Sequence, residues 1–368
     1  PSRSYRQMRD LLGARYLTDI DRYLIDDDTY SNLLQNDLRH PDREIREGDR
    51  FGYDYALLMR EARILLQADY RSDRLRADLS AELGSAAVSR RGYYEKELFP
   101  GDLSYGPSRT LRFSPWLVKA LVGWSFSARS YLEGILFAAA DAPRADQLFY
   151  QPLYNNRPIE QPRCERTYAA ELSWRRTGAQ FDLRLAAYAA AVYDRQQMRR
   201  YYDDLSSLYC DMSVSGIGLL SCGVEAAAEI RLSYRWQLAL AASAGRFTYI
   251  RDPEVTVLSD VDNTAVLTRA RARMADCQIG GAPQLAAASE LTYFGPRGWG
   301  FHLSAGYAGL RYVEPMPLRR TDRVSGQAGL TPEAFEAFTA RSAFRMPSRS
   351  MHRSSRVSIS AVRGLPWR

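Results

Sequence analysis

LRADLSAELG (residues 75–84) alternates without a break. Leu75, Ala77, Leu79, Ala81 and Leu83 are apolar, and Arg76, Asp78, Ser80 and Glu82 stand between them. A period of two describes a strand with one apolar and one polar face. WGFHLSAGY (299–307) repeats the pattern, with Trp299, Phe301, Leu303, Ala305 and Tyr307 on one side and Gly300, His302, Ser304 and Gly306 on the other. Such strands build soluble sandwiches as well as barrels, so the joins between them decide the architecture.

Short and long joins take turns along the chain. Arg71-Ser72-Asp73 links strands near 61–70 and 75–84, and Ser127-Ala128-Arg129-Ser130 links strands near 112–126 and 131–139. Arg176-Thr177-Gly178 lies between 168–174 and 181–193, and Ser233-Tyr234-Arg235 between 224–232 and 238–249. Gly295-Pro296-Arg297-Gly298 lies between 283–293 and 299–307. Between these hairpins run long polar segments near 93–110, 140–166, 195–221, 250–278 and 309–354, and a last alternating run, Val357, Ile359, Ala361, closes the chain. A barrel spanning an outer membrane has tight turns on one rim and long loops on the other. The expected fold is therefore all-β, an antiparallel transmembrane β-barrel. A soluble β-rich binding or adhesion protein, sandwich or solenoid, is the alternative.

Composition agrees. No apolar run reaches the ~18 residues of a membrane helix, and a mean hydropathy of −0.39 looks soluble. A barrel wall shows lipid only every second residue, which hides it from mean hydropathy. The 24 Tyr and 6 Trp suit interfacial girdles. Tyr70, Trp174, Phe181, Tyr234, Tyr293 and Trp299 all fall near the short-turn ends. The net charge of +7 rests almost wholly on arginine, since Lys96 and Lys119 are the only lysines. The arginines are interleaved with acids, as in Asp42-Arg43-Glu44-Ile45-Arg46-Glu47, and form no basic block, so no nucleic-acid partner is expected.

Chemistry-bearing motifs are sparse. There is no P-loop, GxSxG elbow or HExxH, and an enzyme is not expected. Cys164, Cys210, Cys222 and Cys277 form no CxxC pair, and His40, His302 and His352 are scattered, so no metal or cofactor is expected. Cys210 and Cys222 bracket one long segment and are either a loop-closing disulfide or two separate thiols. Asp26-Asp27-Asp28 and Asp203-Asp204 read as solvated loop charge, without EF-hand spacing. Tyr201, Tyr202, Asp203 and Asp204 are the candidate ligand contacts, because rigid aromatics beside carboxylates suit sugars or peptides; the alternative is an ordinary solvated loop.

Two local readings compete with the strand pattern. DLRLAAYAAAVY (182–193) has helical propensity from its alanines, yet Phe181, Leu183, Leu185 and Tyr193 keep period two, which favours a strand. A short helix is expected within 331–343, capped by Thr331, with Pro332 in its first turn and Glu333 complementing its dipole.

Several stretches resemble the barrel of TonB-dependent outer-membrane receptors of Bacteroidetes type. They are QNDLRHPDREIREGDRFGYDY (36–55), GYYEKELFPGDLSYGPSRTLRF (92–113), ERTYAAELSWRR (165–176), CGVEAAAEIRLSYRWQLAL (222–240) and GGAPQLAAASELTYFGPRGWGFHLSAGY (280–307). The resemblance implies about 11 strands of a 22-stranded barrel, with residues 1–368 as one barrel domain whose first 50 residues are mainly extracellular loop. It implies location in the outer membrane and import of a scarce nutrient such as an iron chelate, glycan, peptide or cobalamin. The implied partners are the lipid, a TonB complex acting through an N-terminal plug, a surface lipoprotein and the nutrient itself. No plug, TonB box or signal peptide is recognisable, so the sequence reads as a fragment.

Overall fold

The computed structural model describes residues 2–8, 21–24, 33–41, 43–45, 48–203, 207–259, 265–296, 299–323, 329 and 331–339. The run Val357, Ile359, Ala361, the acidic Asp26-Asp27-Asp28 and His352 lie outside them.

The described residues form strands β1 (Ser2–Met8), β2 (Arg22–Leu24), β3 (Leu33–Gln35), β4 (Arg50–Arg71), β5 (Leu75–Gly92), β6 (Gly106–Pro107), β7 (Leu111–Phe113), β8 (Trp116–Ser127) and β9 (Ser130–Asp141). They continue with β10 (Glu165–Thr177), β11 (Phe181–Asp203), β12 (Leu208–Arg231), β13 (Trp236–Tyr249), β14 (Glu254–Ser259), β15 (Ala265–Arg271), β16 (Leu285–Phe294), β17 (Gly300–Gly309) and one helix, α1 (Pro332–Thr339). Fifteen strands join one sheet, whose main path runs β1-β4-β5-β8-β9-β10-β11-β12-β13-β16-β17; β2 and β3 pair separately. The sheet is open, with β1 and β17 at its two edges. A sandwich needs a second large sheet against the first, and the described residues form none. The N-terminal 50 residues, expected mainly as loop, contribute β1, which pairs with β4 through Ser2↔Leu58 to Met8↔Arg50.

Every neighbour on the main path is antiparallel. Strand direction therefore alternates across the sheet, and the five tight joins, β4–β5, β8–β9, β10–β11, β12–β13 and β16–β17, all fall on one rim. Backbone hydrogen bonds lace them together. Ser125 N–H donates to Arg74 O at 2.7 Å, Thr177 to Arg129 at 2.8 Å, Arg231 to Gln180 at 2.8 Å and Phe294 to Arg235 at 2.8 Å. Each of these four tight turns thus bonds the end of the strand beside it.

Register separates two faces. Ile64↔Leu83, Leu79↔Ala120, Val118↔Ala138, Leu172↔Ala187, Val224↔Ala244, Ala242↔Ala287 and Leu291↔Leu303 share one face. Directly opposed residues in an antiparallel pair point the same way. Following that parity from strand to strand gives an apolar band without charge, about ten residues deep, or ~33 Å along a strand and ~25 Å once tilted by ~40°. Leu75, Leu79, Leu83, Trp299, Phe301 and Leu303 belong to this face. Arg76, Glu82, Glu229, Arg231 and His302 belong to the other. The polar face also carries the ion pairs at this depth: Arg63 with Glu82 at 2.5 Å, Arg76 with Asp78 at 2.7 Å and Arg184 with Glu171 at 3.2 Å. His302 Nδ1 lies 3.0 Å from Thr292 Oγ1 on that face.

At the tight-turn rim the apolar face ends in aromatics. Trp236, Tyr293 and Trp299 pack in series, with ring centroids 4.7 and 5.2 Å apart. Trp124 and Phe126 make a second pair at 5.5 Å. Trp299 lies over Gly295, where an added Cβ would sit 2.2 Å from the indole, so the turn needs glycine to seat the ring. On the polar face Tyr131 covers Gly123 in the same way, at 2.0 Å from the missing Cβ, and its hydroxyl donates to Glu133 at 2.8 Å.

DLRLAAYAAAVY is strand, inside β11, paired with β10 on one side and β12 on the other. Two ladders of hydrogen bonds outweigh the small helical preference of alanine. The segment 195–221, expected as a long loop, is also mostly strand: β11 runs on past the apolar band to Asp203, and β12 begins as far out, at Leu208. Bulges at Val192/Arg195 and Arg195/Gln197 bend this extension. The other joins on this rim are long, and α1 lies where expected, with Ala334 N–H donating to Thr331 Oγ1 at 3.2 Å.

Candidate functional site

The candidate ligand residues do not converge. Successive side chains on a strand point to opposite faces, so Tyr201 and Asp203 of β11 share one side and Tyr202 takes the other. Asp203 is buried and accepts both terminal nitrogens of Arg323, at 3.1 and 2.6 Å. Tyr201 is half-buried beside it, and burial together with the Asp203 carboxylate pushes its phenol up to about 12. Tyr202 is exposed and packs edge-on against Tyr209, 5.2 Å between centroids. Asp204 lies outside the described residues. Asp203 is thus a structural anchor rather than an open ligand group.

The disulfide reading of Cys210 and Cys222 is corrected. Both cysteines lie on β12 and both are free thiols. Twelve residues of strand separate them by ~40 Å, whereas a disulfide needs Cα atoms within ~7 Å. Cys210 is fully buried, packed with Met212, Val214 and Val257.

The structure builds a polar cleft of about 310 Å³ above the apolar band. Three pieces form it: the β9–β10 connection, the extended β11–β12 hairpin and the β14–β15 pair. The connection folds across because Leu148, Phe149, Tyr150 and Ile159 bury themselves against Tyr55, Leu57, Val88 and Leu258. This apolar seam holds Tyr150 at the cleft floor, near Ser213 of β12 and Thr256 of β14, which are themselves ladder partners. Pairing β14 on β12 then carries Glu254, and through β15 Arg269 and Arg271, to the opposite wall.

Most charges in the cleft are already engaged. Asp194, buried at the β11 bulge, pairs with Arg166 and lies 3.5 Å from Arg251. Asp252 Oδ1 accepts the backbone N–H groups of Met274 and Ala275 at 2.8 and 2.7 Å. Glu254 takes Arg269 bidentately, both contacts at 3.2 Å. Arg163 and Arg271 also line the cleft, and the side chain of neither has an ion-pair or hydrogen-bond partner among the described residues. None of these residues stood out in the sequence. Arg163 and Arg271 lie in different polar stretches, and only the order of strands brings them to one opening.

A second buried polar cluster ties down the β5–β8 connection. Lys96, with its side chain fully buried, donates to Asn36 Oδ1 at 2.7 Å and to Gly52 O. Asn36 and Gly52 in turn each donate to Asp21 Oδ1 at 2.9 Å, and Arg43 donates to Asp21 Oδ2 at 2.8 Å. Arg90 donates to Asn156 Oδ1 at 2.6 Å and to Ser104 O at 3.0 Å. Desolvation pushes the Lys96 ammonium down to about 7. With its hydrogen bonds internal, this cluster is a strut for the rim.

No protein-family model matches the chain, and none of the curated proteins does. Among solved structures, the copper transporter OprC superposes with a TM-score of 0.50 at 13% identity, covering 72% of this chain and 36% of its own. The siderophore receptor PiuA from Acinetobacter baumannii gives a TM-score of 0.47 at 11% identity, covering 72% of this chain and 35% of its own. The ferric yersiniabactin uptake receptor FyuA from Yersinia pestis gives 0.43 at 13% identity, covering 72% and 41%. The chain therefore spans well under half the length of these structures. The likeness to OprC shows the fold: this sheet is a section of β-barrel wall, all-β and antiparallel.

Proposed function

We propose that this chain is part of an outer-membrane receptor that imports a scarce nutrient with energy passed through TonB. The observation that carries the reading is the pair of opposed faces. One face is an uncharged apolar band of membrane depth ending in aromatics at the tight-turn rim; the other holds ion pairs at the same depth. Charge on a lipid face costs ~2–4 kcal/mol at the midplane, so the apolar face is the lipid face and the ion pairs line the lumen.

In this reading the tight turns face the periplasm and the long joins face outward, which puts the polar cleft where a ligand arrives. OprC, PiuA and FyuA carry names of copper transport, siderophore reception and ferric yersiniabactin uptake, and metal complexes are accordingly the first class to test. The TonB complex, acting through a plug, and a surface lipoprotein are the proposed protein partners. The decisive measurement is uptake of labelled candidates by cells carrying the full-length gene, with and without the energising TonB protein. Loss of uptake without TonB supports the proposal; equal uptake rejects it.

A further inference from the structure

We propose that the rim cleft binds an oxyanion group of the ligand, a carboxylate or a phosphate, between the guanidinium groups of Arg163 and Arg271. The inference rests on reading the cleft as the entry site of an uptake receptor. Its ground is the balance of committed and uncommitted charge. Of the four acids lining the cleft, Asp194, Asp252 and Glu254 spend their carboxylates on Arg166 and Arg251, on two backbone amides and on Arg269. Glu160 alone stays open, against two open guanidiniums, so the uncommitted charge is net positive. An arginine fork presents paired donors that match the oxygens of carboxylate and phosphate, and pairing such groups bidentately is where arginine excels.

A lone exposed arginine is ordinary surface. Here two from separate connections line one recess, together with the buried Ser213 and Thr256. The backbone around the recess gives a second, independent observation. Seven non-glycine residues among those described have a left-handed φ, and Gln161 (50°), Asp194 (60°) and Arg269 (47°) all line this cleft. Such conformations are strained and gather at ligand clamps.

The test uses the full-length protein purified in detergent, titrated calorimetrically with citrate and, separately, with inorganic phosphate. Wild type is expected to bind at least one of the two, and which one binds separates carboxylate from phosphate recognition. Arg163→Gln and Arg271→Gln are each expected to weaken that binding about tenfold. Arg163→Lys keeps the charge without the fork and should fall between. Arg144→Gln, which removes an exposed arginine paired with Asp146 outside the cleft, should bind as wild type does. Heat-dependent migration on electrophoresis checks that each variant is folded. Absence of binding by either anion at about millimolar concentration, or equal binding by the two cleft variants and wild type, overturns the proposal. TonB-independent uptake with anion binding intact would instead reject the receptor reading and leave the anion site standing.

Discussion

Arg323 closes over Asp203. Both guanidinium end nitrogens reach both carboxylate oxygens, at 3.1 and 2.6 Å, and the two side chains are only 8% and 4% exposed. This pair joins the tip of the β11–β12 hairpin to the segment after β17, which sits on the same apolar cluster through Leu318. Removing one partner of a buried pair strands the other charge. Arg323→Gln and Asp203→Asn should each destabilise the tip by about 3 kcal/mol, read as faster hydrogen exchange at 208–214. Replacing both residues with leucine should cost less than either single change. Unchanged exchange in the single variants would show the pair to be inert.

Leu79 and Ser80 are neighbours on β5 that point to opposite faces. Leu79→Arg places charge in the apolar band and should cost ~2–4 kcal/mol, whereas Ser80→Arg adds it to the charged face beside Lys119 and should cost less than half as much. Folding of the full-length protein into lipid vesicles, followed by protease protection, compares them at one depth. Equal yields would refute the assignment of faces.

Lys96 makes stability depend on pH with a defined sign. Burial lowers its folded-state value to about 7, against ~10.4 in an unfolded chain. The charges of Asp21 and Asp37 oppose that shift, and Arg90 adds to it. The unfolded state therefore binds more protons between these values, and stability rises with pH across that window. The burial penalty is full below pH ~7 and is relieved towards pH ~10. Lys96→Met leaves Asn36 Oδ1 and Gly52 O without their donor. The gap in Tm between wild type and this variant should widen from pH 7 to pH 10. A gap independent of pH would show that Lys96 does not titrate in this range.

All four cysteines should react as thiols once the protein is denatured, without prior reduction. In the folded protein Cys210 and Cys277, both buried, should resist a water-soluble maleimide. Recovery of a peptide pair linking Cys210 to Cys222 would contradict the placement of both on β12.

The sequence carried the barrel wall well because period two and turn length are local signals. LRADLSAELG declares its faces unaided, and so does the turn at 71–73. The extension of β11 was illegible for a physical reason. Residues 195–203 of β11 lie beyond the apolar band and lose the alternation that marks a strand, so their polar composition mimics a loop; Leu208, Cys210, Met212 and Val214 of β12 do alternate with Tyr209, Asp211, Ser213 and Ser215, a strand signal that went unread. The cleft was hidden more deeply. Arg163 joins Arg271 only because β14 pairs with β12 and the β9–β10 connection is pulled inward by Leu148, Phe149 and Ile159. Tyr201, Tyr202 and Asp203 were conspicuous as a string, yet a strand sends neighbours apart, and Asp203 found a partner 120 residues away.

The hydrogen bonds from Ser125 to Arg74, Thr177 to Arg129, Arg231 to Gln180 and Phe294 to Arg235 close the tight-turn rim strand by strand. Where turn is bonded to neighbouring strand end, the circumference at that rim cannot lengthen without breaking backbone bonds. The opposite rim is laced too, through its long connections, as where Gly245 N–H donates to Gln284 O at 2.8 Å and Ile250 N–H to Gly218 O at 2.9 Å. The wall is therefore braced at both ends, by its turns at one rim and by its connections at the other, so that a change of circumference breaks backbone bonds at either.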